Sequence, residues 1–241
     1  MDYNQNFAAK ALQLLTDSPK RILIVGAGSG GRDVEIFNEL TSGDVEIHGL
    51  DIVSDVGVNY SASNVCYLCA SVTQMPYRSQ YFDLVYSFAS FEHIHDISLA
   101  WKSMINVLKP GGVIYTIASP LWCSPWGHHK SDIFRLHPWI HLLYPEPDKL
   151  HAHVRGIGLE SNDDIDLIHH INYMMNDEYF NKLKVLDYEN AAQLQTGLSV
   201  KSSEFFKIEK IDHHNYNLAI EKGYSQDDLL SSTHIFYGVK S

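Results

Sequence analysis

Basic residues are scarce in this chain. Lysine and arginine together number 18 against 29 aspartates and glutamates, a formal net charge of −11. Such a balance lacks the positive footprint that binding a phosphate backbone needs, so the expected partner is a small molecule and not a nucleic acid. Cysteine is scarcer: Cys66, Cys69 and Cys123 are the three in 241 residues, an odd count that supplies no disulfide framework. Cys66 and Cys69 form a CxxC with no second pair to complete a zinc site. They fall in Val65–Ala70, which reads as a buried strand, so buried thiols are predicted. No run reaches the roughly 18 apolar residues of a membrane span. The opening MDYNQNFAAK has no apolar core of the signal-peptide kind, and a reducing, cytoplasmic setting is expected. Repeats and low-complexity stretches are absent.

What is present alternates. Arg21 to Val25 is a short apolar run ending in glycines, hence a buried strand. Gly31 to Leu40 reads as a helix with Val34, Phe37 and Leu40 on one face. Val45 to Leu50, Val65 to Cys69 and Phe82 to Phe88 read as further strands. Ile97, Trp101, Met104, Ile105 and Leu108 sit at helical spacing, with Asp96 to cap the start and Lys109-Pro110-Gly111-Gly112 to stop the helix. Val113 to Ala118 follows as a fifth strand, and Phe7 to Thr16 is a helix before the first. Strands alternating with helices predict an α/β fold with a parallel sheet covered on both faces. From 120 to 190 proline, histidine, tryptophan and tyrosine become frequent, which predicts an insertion over the carboxyl edge of the sheet, partly helical near Asp164 to Leu183. Phe205 to Ile211 and His234 to Val239 then close the sheet as an antiparallel pair. The whole, 1–241, is expected to be one domain.

The turn after the first strand, Gly26-Ala27-Gly28-Ser29-Gly30-Gly31, is rich in the residue that tolerates positive φ and close approach of a ligand to backbone. The helix behind it favours an anionic group, and Asp51 at the end of the next strand is placed to accept hydrogen bonds from ribose hydroxyls. An adenosine-containing ligand follows. Two patterns fit. Gly26, Gly28 and Gly31 satisfy the dinucleotide motif G-x-G-x-x-G, with Asp51 20 residues beyond Gly31. Gly26, Gly28 and Gly30 satisfy G-x-G-x-G. The turn alone does not choose between them.

The series that follows does. Phe82-Asp83-Leu84-Val85-Tyr86-Ser87, then Phe91-Glu92-His93, then Leu108-Lys109-Pro110-Gly111-Gly112 leading into a strand, resembles in order and spacing the motif series of small-molecule class I S-adenosylmethionine (SAM)-dependent methyltransferases. Met75-Pro76 stands where those enzymes often carry Leu-Pro. The resemblance covers roughly residues 20 to 120. It implies a Rossmann-like methyltransferase fold, SAM as cofactor, and cofactor contacts from Gly26, Ala27, Gly28, Gly30, Asp51, Ile52, Ser71, Val72 and Ser87. Two positions depart from the pattern: Ile24 stands where an acidic residue is usual, and Ser71 where an aspartate often reads the adenine amino group. The other readings of the same turn are a non-catalytic SAM-binding subunit and an NAD-dependent oxidoreductase.

Methyl transfer from a sulfonium requires the acceptor atom aligned with the breaking bond at roughly 3 Å, and a hydroxyl or amine must shed a proton, so a base helps. Eight of the 14 histidines lie between His93 and His153, beside the expected crevice, and histidine titrates in the useful range. The preferred bases are His128 and His129, with His93 as the third. Ser119 to His129 resembles a segment of methyltransferases from bacterial capsule and surface-polysaccharide pathways that O-methylate sugars or phosphoramidate groups. Tyr115, Trp122 and Trp126 are then expected to wall the acceptor, with Trp139 nearby, and Lys130 and Arg135 to hold its phosphate or carboxylate. His128, His129 and Asp132, with His151 and His153, match no defined ligand spacing, and no metal is expected.

Overall fold

Two runs of hydrophobic residues alternate along the first strand and send its side chains to opposite faces. In a computed structural model, which describes residues 3–158, 164–211 and 213–241, that strand, β1 (Arg21–Val25), lies central in a seven-stranded sheet. The others are β2 (Glu46–Asp51), β3 (Val65–Cys69), β4 (Phe82–Phe88), β5 (Leu108–Ala118), β6 (Leu198–Lys207) and β7 (Ser231–Lys240). Their order is β3-β2-β1-β4-β5-β7-β6. The first five pair in parallel, and β7 runs antiparallel between β5 and β6.

Ile22 and Ile24 face α1 (Tyr3–Gln13) and α2 (Arg32–Leu40), packing with Ala8, Ala11, Val34 and Phe37. Leu23 and Val25 face the other way, toward α3 (Ile97–Val107) and α7 (Val185–Gln193), where Trp101 wedges between Phe91 and Phe236 at ring separations of 5.1 and 4.4 Å. Burying rings of this size dominates core energetics. Asp96 caps α3 by accepting from Leu99 N at 2.8 Å, as its sequence predicts.

The Phe-Asp and Lys-Pro-Gly-Gly motifs are structural partners. Asp83 Oδ2 accepts from the amides of Lys20 and Arg21 at 2.9 Å each, and its Oδ1 meets Lys109 Nζ at 2.6 Å. Lys109 to Gly112 do not separate helix from strand. They form an irregularity inside β5, whose pairing with β4 jumps from Phe82↔Leu108 to Leu84↔Val113. Gly111 has φ +76°, and a Cβ on Gly112 would lie 2.8 Å from the Leu108 side chain.

Other boundaries differ from the sequence reading. The first helix begins at Tyr3 because Tyr3 and Phe7 both pack on Phe88, and it ends before Asp17-Ser18-Pro19. Cys66 and Cys69 are exposed, because β3 is the sheet's edge. Three residues apart on a strand, they also point to opposite faces. The insertion is more helical than its composition suggests: α4 (Ile140–Leu143), α5 (Pro147–Gly156), α6 (Asp164–Met175) and α7. Its helices are covered with histidine and tyrosine, which blur the apolar stripe. β6 starts at Leu198, ahead of Phe205, its early polar residues forming an edge strand. Between β6 and β7 lie α8 (His214–Glu221) and α9 (Gln226–Leu230). Two further cores lie beside the sheet. Trp122, Trp139 and Phe180 of the insertion pack with Tyr216 of α8 and Leu229 of α9 in one, and Phe134, Leu150, Leu167, Ile171 and Met174 form another within the insertion. Among the described residues no helix is long and apolar enough to cross a membrane.

Candidate functional site

The strand order reverses between β1 and β4, and at such a switch point the loops leaving adjacent strands part and open a crevice at their carboxyl ends. Here it has a volume of about 610 Å³, within the range of roughly 300–1,000 Å³ for small-molecule sites. Its floor is the glycine turn. Gly26 N and Ala27 N donate to Leu50 O at 2.8 and 3.1 Å, and Gly28 N donates to Asp51 Oδ2 at 2.8 Å, so the turn is tied to the end of β2. Asp51 Oδ1 also accepts from Val53 N at 3.2 Å.

The turn's glycines are not equivalent. Gly26 has φ +82°, and a Cβ there would stand 1.7 Å from Ser90 Oγ. Gly28 and Gly31 have φ +59° and +61°, and a Cβ on Gly31 would meet the Tyr67 hydroxyl at 2.6 Å. Gly30 has no positive φ and open space where a Cβ would go. The fold itself therefore requires Gly26, Gly28 and Gly31. Gly30 is free of that demand, which leaves ligand approach as a use for it.

Of the predicted cofactor residues, Gly26, Gly28, Asp51, Ile52 and Val72 line the crevice. Ile52 is 74% exposed, an apolar side chain at the rim. Four others do not line it. Ala27 packs beneath the turn, Gly30 lies beyond it, and Ser87 is fully buried in β4. Ser71 turns away to cap the short 3₁₀ turn Val72–Gln74, accepting from Thr73 N at 3.2 Å. An aspartate pattern at position 71 thus has no counterpart in the serine's geometry.

The other wall comes from the segment after β4 and from the end of the insertion: Ala89, Ser90, His93, Tyr173, Glu178 and Tyr179. Ala89 holds φ +48°, an unusual conformation for a residue with a side chain, at the point where the chain leaves the sheet. His93 is the histidine on the wall. Its Nδ1 donates to Tyr179 O at 2.5 Å, which fixes the tautomer and leaves Nε2 with its lone pair. Burial pushes its pKa down, partly offset by that carbonyl. His129 packs against His93 and Phe180, each at 5.0 Å between rings, and burial with the neighbouring His93 takes its pKa down to about 4.

Of the two preferred bases, His128 stands away from the crevice. It is fully buried between Phe134 and His141, with Nδ1 accepting from Lys130 N at 3.0 Å. Burial holds it far below the usual imidazole range. The acceptor residues predicted in the insertion scatter too. Trp122 is core, T-stacked on His141, and Tyr115 stacks on Tyr86 behind the sheet. Trp126 is half-buried, with Nε1 unpartnered among the described residues. Arg135 is exposed. Lys130 comes nearest, its Nζ 4.5 Å above the ring of Tyr173 on the crevice wall.

Sequence reasoning missed Glu92. It is 2% exposed, and neither carboxyl oxygen has a hydrogen-bond partner among the described residues. Burial pushes its pKa up to about 8, while the amides of Glu92 and Ser119, near the carboxyl but outside hydrogen-bond geometry, act in the opposite sense. The signal was present, an acid between Phe91 and His93, but its burial is set by contacts distant in sequence. Asn181 reaches back from the insertion, donating from its amide to Glu92 O at 3.0 Å and from its side chain to Phe91 O at 2.7 Å.

A nucleotide-type crevice at the switch point of a sheet ordered 3-2-1-4-5-7-6 defines the class. Residues 23–116 match the family model for a methyltransferase domain. A protein of Escherichia coli K12, YafE, is 26% identical over 155 residues, 64% of this chain and 68% of its own length. An O-methyltransferase of Aspergillus nomiae, rstn1, is 32% identical over 100 residues, but that match spans only 43% of the fungal enzyme and 38% of this chain. Among solved structures, a SAM-dependent methyltransferase of Mesorhizobium loti superposes with a TM-score of 0.57 at 14% identity, covering 96% of each chain. Residues 23–116 are thus similar to a methyltransferase domain, and the sheet has the fold of the SAM-dependent methyltransferases it superposes on.

Proposed function

We propose that the chain transfers a methyl group from SAM to an oxygen of a small polar acceptor, and that the acceptor is activated at the His93 end of the crevice. The observation that carries this is the His93–Tyr179 hydrogen bond, which leaves an imidazole lone pair on the crevice wall.

The residues present fit the cofactor. With the amides of Gly26, Ala27, Gly28 and Gly31 already bonded within the protein, the first turn of α2 suits its carboxylate, Asp51 its ribose hydroxyls, and Ile52 and Val72 the faces of its adenine. Bound there, SAM supplies an electrophilic methyl on a cationic sulfur. The chain's part is to exclude water, align the acceptor and accept the proton its hydroxyl loses as the oxygen takes the methyl. An oxygen nucleophile is supported by the A. nomiae O-methyltransferase. A sugar hydroxyl or phosphoramidate oxygen of a surface-polysaccharide precursor, handled in the cytoplasm, is supported by the resemblance of Ser119 to His129 alone. Lys130, above Tyr173, is the cation best placed for an acceptor's anionic group.

Calorimetric titration with S-adenosylhomocysteine (SAH), with NAD as competitor, tests the cofactor half. Tight SAH binding insensitive to NAD is expected, and absence of SAH binding at high micromolar concentration overturns the reading. Turnover of SAM across a panel of hydroxyl-bearing acceptors tests the rest. No turnover on any acceptor alongside intact SAH binding returns the chain to a non-catalytic binding subunit.

A further inference from the structure

Glu92, His93 and His129 come together from the post-β4 turn and from the insertion after β5. Each offers one ligand atom, and the three atoms lie within 4.8 Å of one another. The group sits at the crevice, since His93 lines it. We propose that these three side chains form a site for one divalent transition-metal ion, and that the ion ligates the acceptor oxygen beside the methyl donor.

Three observations converge on this. First, Glu92 is a carboxyl 2% exposed with both oxygens unpartnered among the described residues, and a polar group left so in a folded core demands an explanation. A cation between it and the two imidazoles is one that satisfies all three. Second, His93 already has the arrangement of a metal-ligating histidine. One ring nitrogen donates to a backbone carbonyl, and the other is turned loose. Third, the donor set is two imidazoles and one carboxylate, which favours zinc, manganese, iron or cobalt over magnesium. Three protein ligands leave a coordination position open for an exogenous oxygen, as in catalytic rather than structural sites. The acceptor class that follows is a hydroxyl with a second oxygen able to chelate, such as a vicinal diol or a hydroxyl beside a carbonyl or phosphoryl oxygen.

The inference deepens the methyl-transfer reading and rests on it for the identity of the acceptor, so its test separates the two. A C66S/C69S background removes the exposed thiols, which bind zinc on their own. The chelator-stripped protein is titrated with Co²⁺ and followed by its d–d absorption, with bound zinc counted separately by elemental analysis. One ion per chain is expected. Glu92→Gln, His93→Gln and His129→Gln should each weaken binding, on the order of 10–100-fold or more, while His128→Gln leaves it intact. Since Glu92→Gln removes an unpartnered carboxyl, its metal-free form should melt no lower than the parent, which excludes misfolding as the cause. SAH is titrated in parallel, with and without metal. Equal Co²⁺ spectra in parent and all three variants, or no bound ion, overturn the metal site even if SAH binds and His93→Gln abolishes turnover, in which case His93 acts directly as the base. Metal bound as expected with no affinity for SAH leaves the site standing and overturns the methyltransferase reading.

Discussion

Replacing Gly26 by alanine separates steric demand from ligand demand in the glycine turn. Two costs arise. A Cβ at φ +82° sits in the left-handed region, worth on the order of 1–2 kcal/mol for an L-residue. That Cβ also lands 1.7 Å from Ser90 Oγ and 2.5 Å from Ser90 Cβ, far inside van der Waals contact. Ser90 must move, breaking its hydrogen bond to Phe88 O at 3.1 Å and shifting the crevice wall it forms. Loss of about 1 kcal/mol for that bond brings the total to roughly 2–3 kcal/mol, or about 4–12 °C in melting temperature at roughly 2–4 °C per kcal/mol for a chain of this size. SAH affinity should fall by about 10-fold or more. Gly26→Ala with Ser90→Gly relieves the clash but not the φ strain, and it also lacks the Ser90 Oγ bond to Phe88 O, so SAH affinity should recover more than stability. Gly30→Ala is the control: its Cβ meets nothing within 4 Å, so thermal stability should hold, and any fall in SAH affinity then reads ligand approach alone. Calorimetry and thermal denaturation read both quantities. Gly26→Ala that melts and binds like the parent, or a double variant that binds SAH no better than the single, refutes the reasoning.

Asp51→Ala should cost SAH about 10–100-fold in affinity, the worth of hydrogen bonds to a charged group, and the same titration checks it; unchanged affinity takes the ribose away from this acid. His93→Gln should lower turnover by on the order of 10²–10⁴ with SAH binding unchanged, whereas His128→Gln should change melting temperature and leave turnover near the parent's, as steady-state assays of both would show. His234, buried and stacked on Phe205 at 4.4 Å, has its pKa taken down by burial to about 4 from 6.5. The folded state therefore binds fewer protons than the unfolded one, so the stability contributed by neutral His234 is full above pH 6.5 and drains as pH falls toward 4. That amounts to on the order of 3 kcal/mol, and urea unfolding of His234→Phe at pH 7 and pH 4.5 should show a flatter profile than the parent. Asp83→Ala removes the acceptor for Lys20 N, Arg21 N and Lys109 Nζ. It should cost about 1–3 kcal/mol of stability with SAH affinity intact in the folded protein, by denaturation and calorimetry.

Legibility followed range. Every parallel strand was readable in place because buried strands are short apolar runs bounded by turn residues, and β1, β3 and β4 match their predicted limits. The glycine turn and Asp51 were readable because strand, turn and ligand contact lie within 31 residues. The CxxC was misjudged because strand burial depends on whether a neighbour covers the outer edge, which β3 lacks. His128 and His129 are adjacent in sequence, yet one is sealed in a core and the other backs the crevice. Which is which depends on a left-handed turn at His129, φ +59°, and no propensity announces such a turn in a histidine.

The same division explains why the sequence pointed to a fold and a family resemblance before it pointed to any site machinery. The Phe-Asp and Lys-Pro-Gly-Gly motifs that gave the resemblance are joined through Asp83 and Lys109 at the amino end of β4, the opposite end of the strand from the crevice. They report a sheet built to one plan, and they touch no ligand. The acceptor end is assembled instead from bonds of long reach: His93 to Tyr179 across 86 residues, and Asn181 to Phe91 across 90. A change in the insertion therefore retunes His93, Glu92 and the wall they form without disturbing the cofactor half. On the proposed methyl-transfer reading, the fold keeps the donor end fixed while the insertion sets the acceptor.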